Sequence, residues 1–141
     1  MKFQLLVVAA LLGSSAHAAG WQYIAPDHKA AGQFDVDRTA RYGRFATAWA
    51  KFEYATAQTL PRTGKAYDLV LTRFLFDCES GRGGVMQNRM YLRGQEQEVL
   101  AIPFDVVRSS MLNGLPAASP VQLLMNTACR RPSQAGEPQI E

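Results

Sequence analysis

The run from residue 68 to residue 78 reads DLVLTRFLFDC and divides at period two into two faces. Val70, Thr72, Phe74, Phe76 and Cys78 fall on one side, and Leu69, Leu71, Arg73, Leu75 and Asp77 on the other. A period of two is the signature of an extended strand, because successive side chains there point to opposite faces. A strand this long cannot stand alone, since its peptide N–H and C=O groups need partners. The chain is therefore committed to a sheet, and the rest of it must supply the neighbours.

Several segments qualify. Residues 44–57 carry aromatic residues on both faces at period two, with Phe45, Thr47 and Trp49 opposed to Phe52 and Tyr54. Residues 85–93 return after ESGRGG, a hairpin-type connection whose glycines suit positive φ. Shorter strands are expected at 21–24, 33–37 and 98–102. Residues 38–43 read as a turn, and Pro61 and Gly64 punctuate a connection before residue 68.

Residues 119–129 read as a helix. Ser119 is a good N-cap and Pro120 fits the first helical position. Val121, Leu124, Met125, Ala128 and Cys129 form one apolar stripe. The segment 103–115 fits a helix between Pro103 and Gly114 and fits an irregular course equally well. Residues 131–141 are polar with two prolines and are expected to form a disordered tail. The expected fold class is α+β: an antiparallel sheet of about five or six strands with a C-terminal helix packed on one face.

The N-terminus begins MKFQLLVVAALLGSSAHA. A lysine, a short apolar run and an Ala-His-Ala site are the pattern of a cleaved export signal, expected to span residues 1–18. The apolar run is shorter than the roughly 20 residues a membrane helix needs. One domain of roughly 120 residues remains, enough for a modest core; its expected span is 19–130. Cys78 and Cys129 are the chain's two cysteines. An even pair in an exported chain reads first as a disulfide. Each sits on a predicted core face, so the bridge would pin helix to sheet. Closing a loop of about 50 residues stabilises a fold by roughly 4 kcal/mol on the chain-entropy account.

The residues argue against most chemistry. His28 is the one histidine left once the signal is removed, and it reads as a solvated loop residue. No spacing suggests a zinc site, and no phosphate-binding loop occurs. Asp35 and Asp37 share a strand face, which a solvated edge explains without a cation. No cofactor and no catalytic residue is expected. The formal charge of +3 is too small to suggest nucleic acid as a partner. A cluster of arginines is the exception. Arg73, Arg82, Arg89 and Arg93 are candidate partner-binding residues if they share the outer face of the sheet.

The order of several short motifs resembles the bacterial surface-adhesin protein E family. These are Trp21, FDVDR at 34–38, ATAWAKFEY at 46–54, FLFDCES at 74–80 with Arg82 soon after, MYLRG at 90–94, and PAASPVQLLMNTAC at 116–129. The resemblance implies a small, mostly antiparallel β domain with a helix and one disulfide, located in the envelope. It also implies adhesion to host extracellular-matrix or serum proteins without catalysis. Two departures stand out. No cysteine lies near residue 18 for a lipid anchor, so a soluble periplasmic or secreted form is expected. The tryptophan expected before the final Pro-Ser segment is absent, with Phe104 and Val107 nearby. A periplasmic inhibitor or assembly factor acting on another envelope protein is the alternative. A thiol enzyme built on Cys78 would require a free thiol.

Overall fold

The computed structural model describes residues 21–24 and 30–141. The expected signal, His28 and the loop around it lie outside the described residues. The domain is an antiparallel meander of strands β1 (Trp21–Ile24), β2 (Ala30–Tyr42), β3 (Phe45–Thr59), β4 (Ala66–Asp77), β5 (Arg82–Leu92) and β6 (Gln95–Ala101), each paired with the next. A short β7 (Asn113–Gly114) pairs with the start of β5. The sheet thus has seven strands among the described residues, against the five or six expected. The antiparallel class holds.

Tight turns set the register. Gly43 has φ +60° in the two-residue connection between Tyr42 and Phe45, as a II′ hairpin requires. Arg93 and Gly94 both have positive φ between Leu92 and Gln95, which is the I′ pattern. The turn expected at 38–43 is a correction: β2 runs through it to Tyr42. A register shift between Asp35 and Ala40 absorbs the extra residues. Asp35 Oδ1 accepts hydrogen bonds from the Asp37 and Arg38 N–H groups there, at 2.9 and 3.3 Å, so the carboxylate replaces ladder partners.

The glycines of ESGRGG divide between two tasks. Gly81 has φ +69° and closes the β4–β5 turn. Gly83 and Gly84 lie inside β5 and serve close approach instead. A Cβ on Gly84 would stand 2.6 Å from the Met111 carbonyl oxygen. The segment left open at 103–115 contains a short helix, α1 (Phe104–Val106), which runs straight into a π-helical turn, Val107–Met111.

Both faces of the sheet carry a cover. On one face, helix α2 (Pro120–Cys129) adds Leu124, Met125 and Ala128 to a cluster with Ala46, Ala48, Ala50 and Phe76. The alanines of β3 are what let a helix come close. Ser119 caps α2, its Oγ accepting from the Gln122 N–H at 3.2 Å. Cys78 and Cys129 form the disulfide, with Cα atoms 5.7 Å apart. On the other face, Val107 packs with Leu75 and Met86, flanked by Phe45, Ile102, Phe104 and Leu112.

The segment expected to be a disordered tail has a defined course. The Gln134 N–H donates to the Arg41 carbonyl at 2.8 Å, and Gly43 N–H to Ser133 Oγ at 2.7 Å. The chain then crosses the second sheet face, where Pro138 is buried and Glu141 reaches Trp49. A polar composition concealed this because the tail is held by hydrogen bonds and charge rather than by an apolar stripe.

Candidate functional site

Two features of the sheet stand out, one on each face. The first is an apolar groove of about 530 Å³ on the face that carries α2. Its floor comes from alternate residues of neighbouring strands: Phe52 and Tyr54 of β3, Val70 and Phe74 of β4, Met90 of β5 and Leu100 of β6. Pro120 and Val121 close one end. Tyr54 and Tyr67 meet edge to face, centroids 5.7 Å apart. Thr72 Oγ1 donates to Asn88 Oδ1 at 2.8 Å, so these two polar residues in the lining satisfy each other. The groove joins a second hollow through Leu60 and Leu100, and Arg62 and Glu98 line the rim there. Lys65 Nζ bridges to Glu98 at 3.0 Å.

The second feature is a row of residues in register on the opposite face. Asp35, Trp49, Arg73, Gln87 and Ala101 stand directly opposite one another across five strands. Trp49, Arg73 and Gln87 are 2 %, 3 % and 1 % exposed. The Arg38 guanidinium lies 4.6 Å from the Trp49 ring centroid and that of Arg73 lies 5.9 Å away, so the indole has two cations near it. Residues 139–141 sit on this row. The Trp49 indole N–H donates to Glu141 Oε2 at 3.2 Å and Arg38 Nη2 to the same oxygen at 2.7 Å. Arg73 Nη2 is 3.6 Å from Glu141 Oε1, and Arg73 also donates to the Gln139 carbonyl.

These positions correct the expected arginine patch. Arg73 is not on an open outer face; it is buried under residues 139–141. Arg82 and Arg93 are exposed at opposite ends of β5, separated by about 35 Å of strand. Arg89 is ion-paired with Glu96 at 2.6 Å, and Tyr91 Oη shares that carboxylate at 3.1 Å. The Glu96 contact raises the Arg89 pKa further, while burial raises that of Tyr91. The four therefore form no common surface. On the groove side, Arg62 lines the second hollow and Lys65 pairs with Glu98 beside it. The alternation of Phe45, Trp49, Leu71 and Leu75 on Arg73's own face was the available sign that this face is covered.

Asp77 belongs to the turn rather than to a binding rim. Its carboxylate accepts from Arg44 through both oxygens, and Oδ1 also accepts from the Glu79 N–H at 3.1 Å and the Ser80 N–H at 3.3 Å. The Arg44 hydrogen bonds hold its pKa well below the usual carboxylate range. Among the described residues, no cluster of three or more His, Cys, Asp or Glu is placed to hold a metal. Both cysteines are bridged, so Cys78 offers no thiol.

The model of the surface-adhesin protein E family matches residues 21–130. The chain belongs to the surface-adhesin protein E family. The matched span includes both cysteines, the groove and the whole Trp49 row, and it stops just before the tail. Surface-adhesin membership points to protein binding and to an exported or surface location, with which the disulfide is compatible. No curated protein and no solved structure matches the chain. Among the described residues, no helix is long and apolar enough to cross a membrane.

Proposed function

We propose that this protein is an exported, non-enzymatic adhesin-type module whose groove takes an extended segment of a protein partner. The partner class is host extracellular-matrix or serum glycoproteins. The observation that carries the reading is the half of the sheet face that α2 leaves uncovered. It gathers Phe52, Tyr54, Tyr67, Val70, Met90 and Leu100 into one concave lining. Contiguous apolar surface of this kind marks interaction sites, and aromatic side chains dominate such contacts. β6 lies along the groove as an edge strand, with Val99 and Leu100 43 % and 45 % exposed. An extended segment can pair with that edge while alternate side chains enter the groove. Arg62 and Lys65 at the rim make the binding salt-sensitive. The test is saturable binding of the folded protein to a panel of matrix and serum glycoproteins; a panel with no binder contradicts the reading.

The disulfide is compatible with an exported compartment, so a second reading is a periplasmic factor that binds another envelope protein through the same groove. Capture from the producing cell's own periplasm separates the two, since an adhesin recovers little there.

A further inference from the structure

We propose that the Trp49 row is a binding site for an acidic peptide segment, occupied in this chain by its own residues 139–141. It lies on the face opposite the groove and stands independently of what the groove binds. Three observations support it. The contacts read both side chain and backbone: Gln87 Nε2 donates to the Glu141 main-chain oxygen at 2.7 Å, and Gln87 Oε1 accepts from the Glu141 N–H at 3.4 Å. Gln87 thus meets both main-chain polar groups of residue 141 with its one amide. The carboxylate of Glu141 meets two guanidiniums and an indole N–H, which is charge-assisted recognition of an acid.

The second observation is the state of the cations. Arg73 is 3 % exposed, and Glu141 is the acid within ion-pair distance of it. Its Nε is buried with no hydrogen-bond partner. A guanidinium covered without an anion is costly, so a segment that covers this row must bring an acid with it. Asp35, on the same row, uses Oδ1 on the N–H groups of the β2 irregularity. The third observation is where the acid comes from. The family match ends at residue 130, whereas Trp49, Arg73 and Gln87 lie inside it. The pocket belongs to the domain, and its occupant arrives from beyond the matched span. Gly136, with φ +91°, supplies the bend that leads into the occupying stretch.

Cutting the tail of the folded chain tests the proposal. A specific protease site replaces residues 134–136 of the full chain, and cleavage follows folding and disulfide closure. The Trp49 indole N–H resonance is the readout, with Trp21 as the second indole signal. A synthetic peptide of residues 137–141 is the probe. The cut protein is expected to release the tail on dilution, to stay folded, and to rebind the peptide saturably. The peptide carrying Glu141→Gln rebinds about tenfold more weakly or worse. The uncut chain shows no shift with either peptide. Equal binding of the acidic and amide peptides overturns the proposal, as does failure to rebind. Loss of chemical-shift dispersion on cutting also overturns it, because the tail is then part of the core and not a ligand.

Discussion

Arg73 stands directly opposite Trp49 across β4 and β3, with its guanidinium carbon 5.9 Å from the indole centroid. The pair is buried beneath the end of the chain, and it makes a polar row the centre of one sheet face. Arg73→Met keeps the apolar stem but removes the cation and the donor to Gln139. It is expected to destabilise the fold by about 1–3 kcal/mol, from the lost charged hydrogen bond and the lost ring contact. Urea unfolding followed by tryptophan fluorescence checks this, and an unchanged midpoint refutes it.

The bridge between Cys78 and Cys129 closes a 51-residue loop across β5, β6 and the π-turn. Cys78→Ser with Cys129→Ser is expected to lower stability by about 4 kcal/mol on the chain-entropy account, less any native strain. Chemical denaturation of the two forms measures it. A loss below about 1 kcal/mol would mean that the α2 contacts hold the helix without the link.

Gly84 is required by proximity rather than by its dihedral. In Gly84→Ala the added Cβ meets the Met111 carbonyl oxygen, a backbone atom that cannot turn aside. The π-helical turn must move off β5, at a cost of about 1–3 kcal/mol. Gly43→Ala meets no neighbouring atom and is strained only by its φ of +60°. Its expected cost is smaller, about 1 kcal/mol. Thermal melts of the two variants should fall in that order.

The Asp77 carboxylate gives the fold an acid-side dependence. Its folded pKa is depressed, chiefly by the Arg44 hydrogen bonds and further by the Ser80 and Glu79 contacts. A depressed carboxylate contributes stability that is present above its unfolded pKa, near 4, and lost as pH falls through the folded value. Asp77→Asn is therefore expected to lower Tm at pH 7. The gap between variant and wild type should stay constant down to about pH 5 and shrink below about pH 4. A gap that does not change with pH would assign the effect to turn geometry alone.

The sequence made some elements plain and hid others for identifiable reasons. β4 was legible because residues 68–78 hold no glycine or proline and Val70, Thr72, Phe74 and Phe76 make one consistent face, and α2 because Ser119, Pro120 and the 121–129 stripe agree on start, face and length. The cysteine pairing followed from those two faces. The long β2 was missed because its irregular register at residues 35–40 breaks the alternation. Arg73 was misplaced because a strand face that carries an arginine and ends in Asp77 reads as the solvent side, despite Leu71 and Leu75. Its burial depends on Glu141, which lies 68 residues further along the chain and belongs to no periodic pattern. The groove was unreadable for a similar reason. Tyr54, Tyr67, Met90 and Leu100 come from four strands, and only the observed registers place them together.

Binding at the groove is the most direct point of decision. Leu100 is exposed on the edge strand and lines both hollows, so Leu100→Asp alters the surface without emptying the core. Surface plasmon resonance compares wild type and Leu100→Asp, with matched melting temperatures, on immobilised matrix and serum glycoproteins. The expected result is saturable wild-type binding that weakens with salt and falls at least about tenfold in the variant. Equal binding of the two proteins, or no binding by folded wild type, would contradict the groove as the adhesive surface.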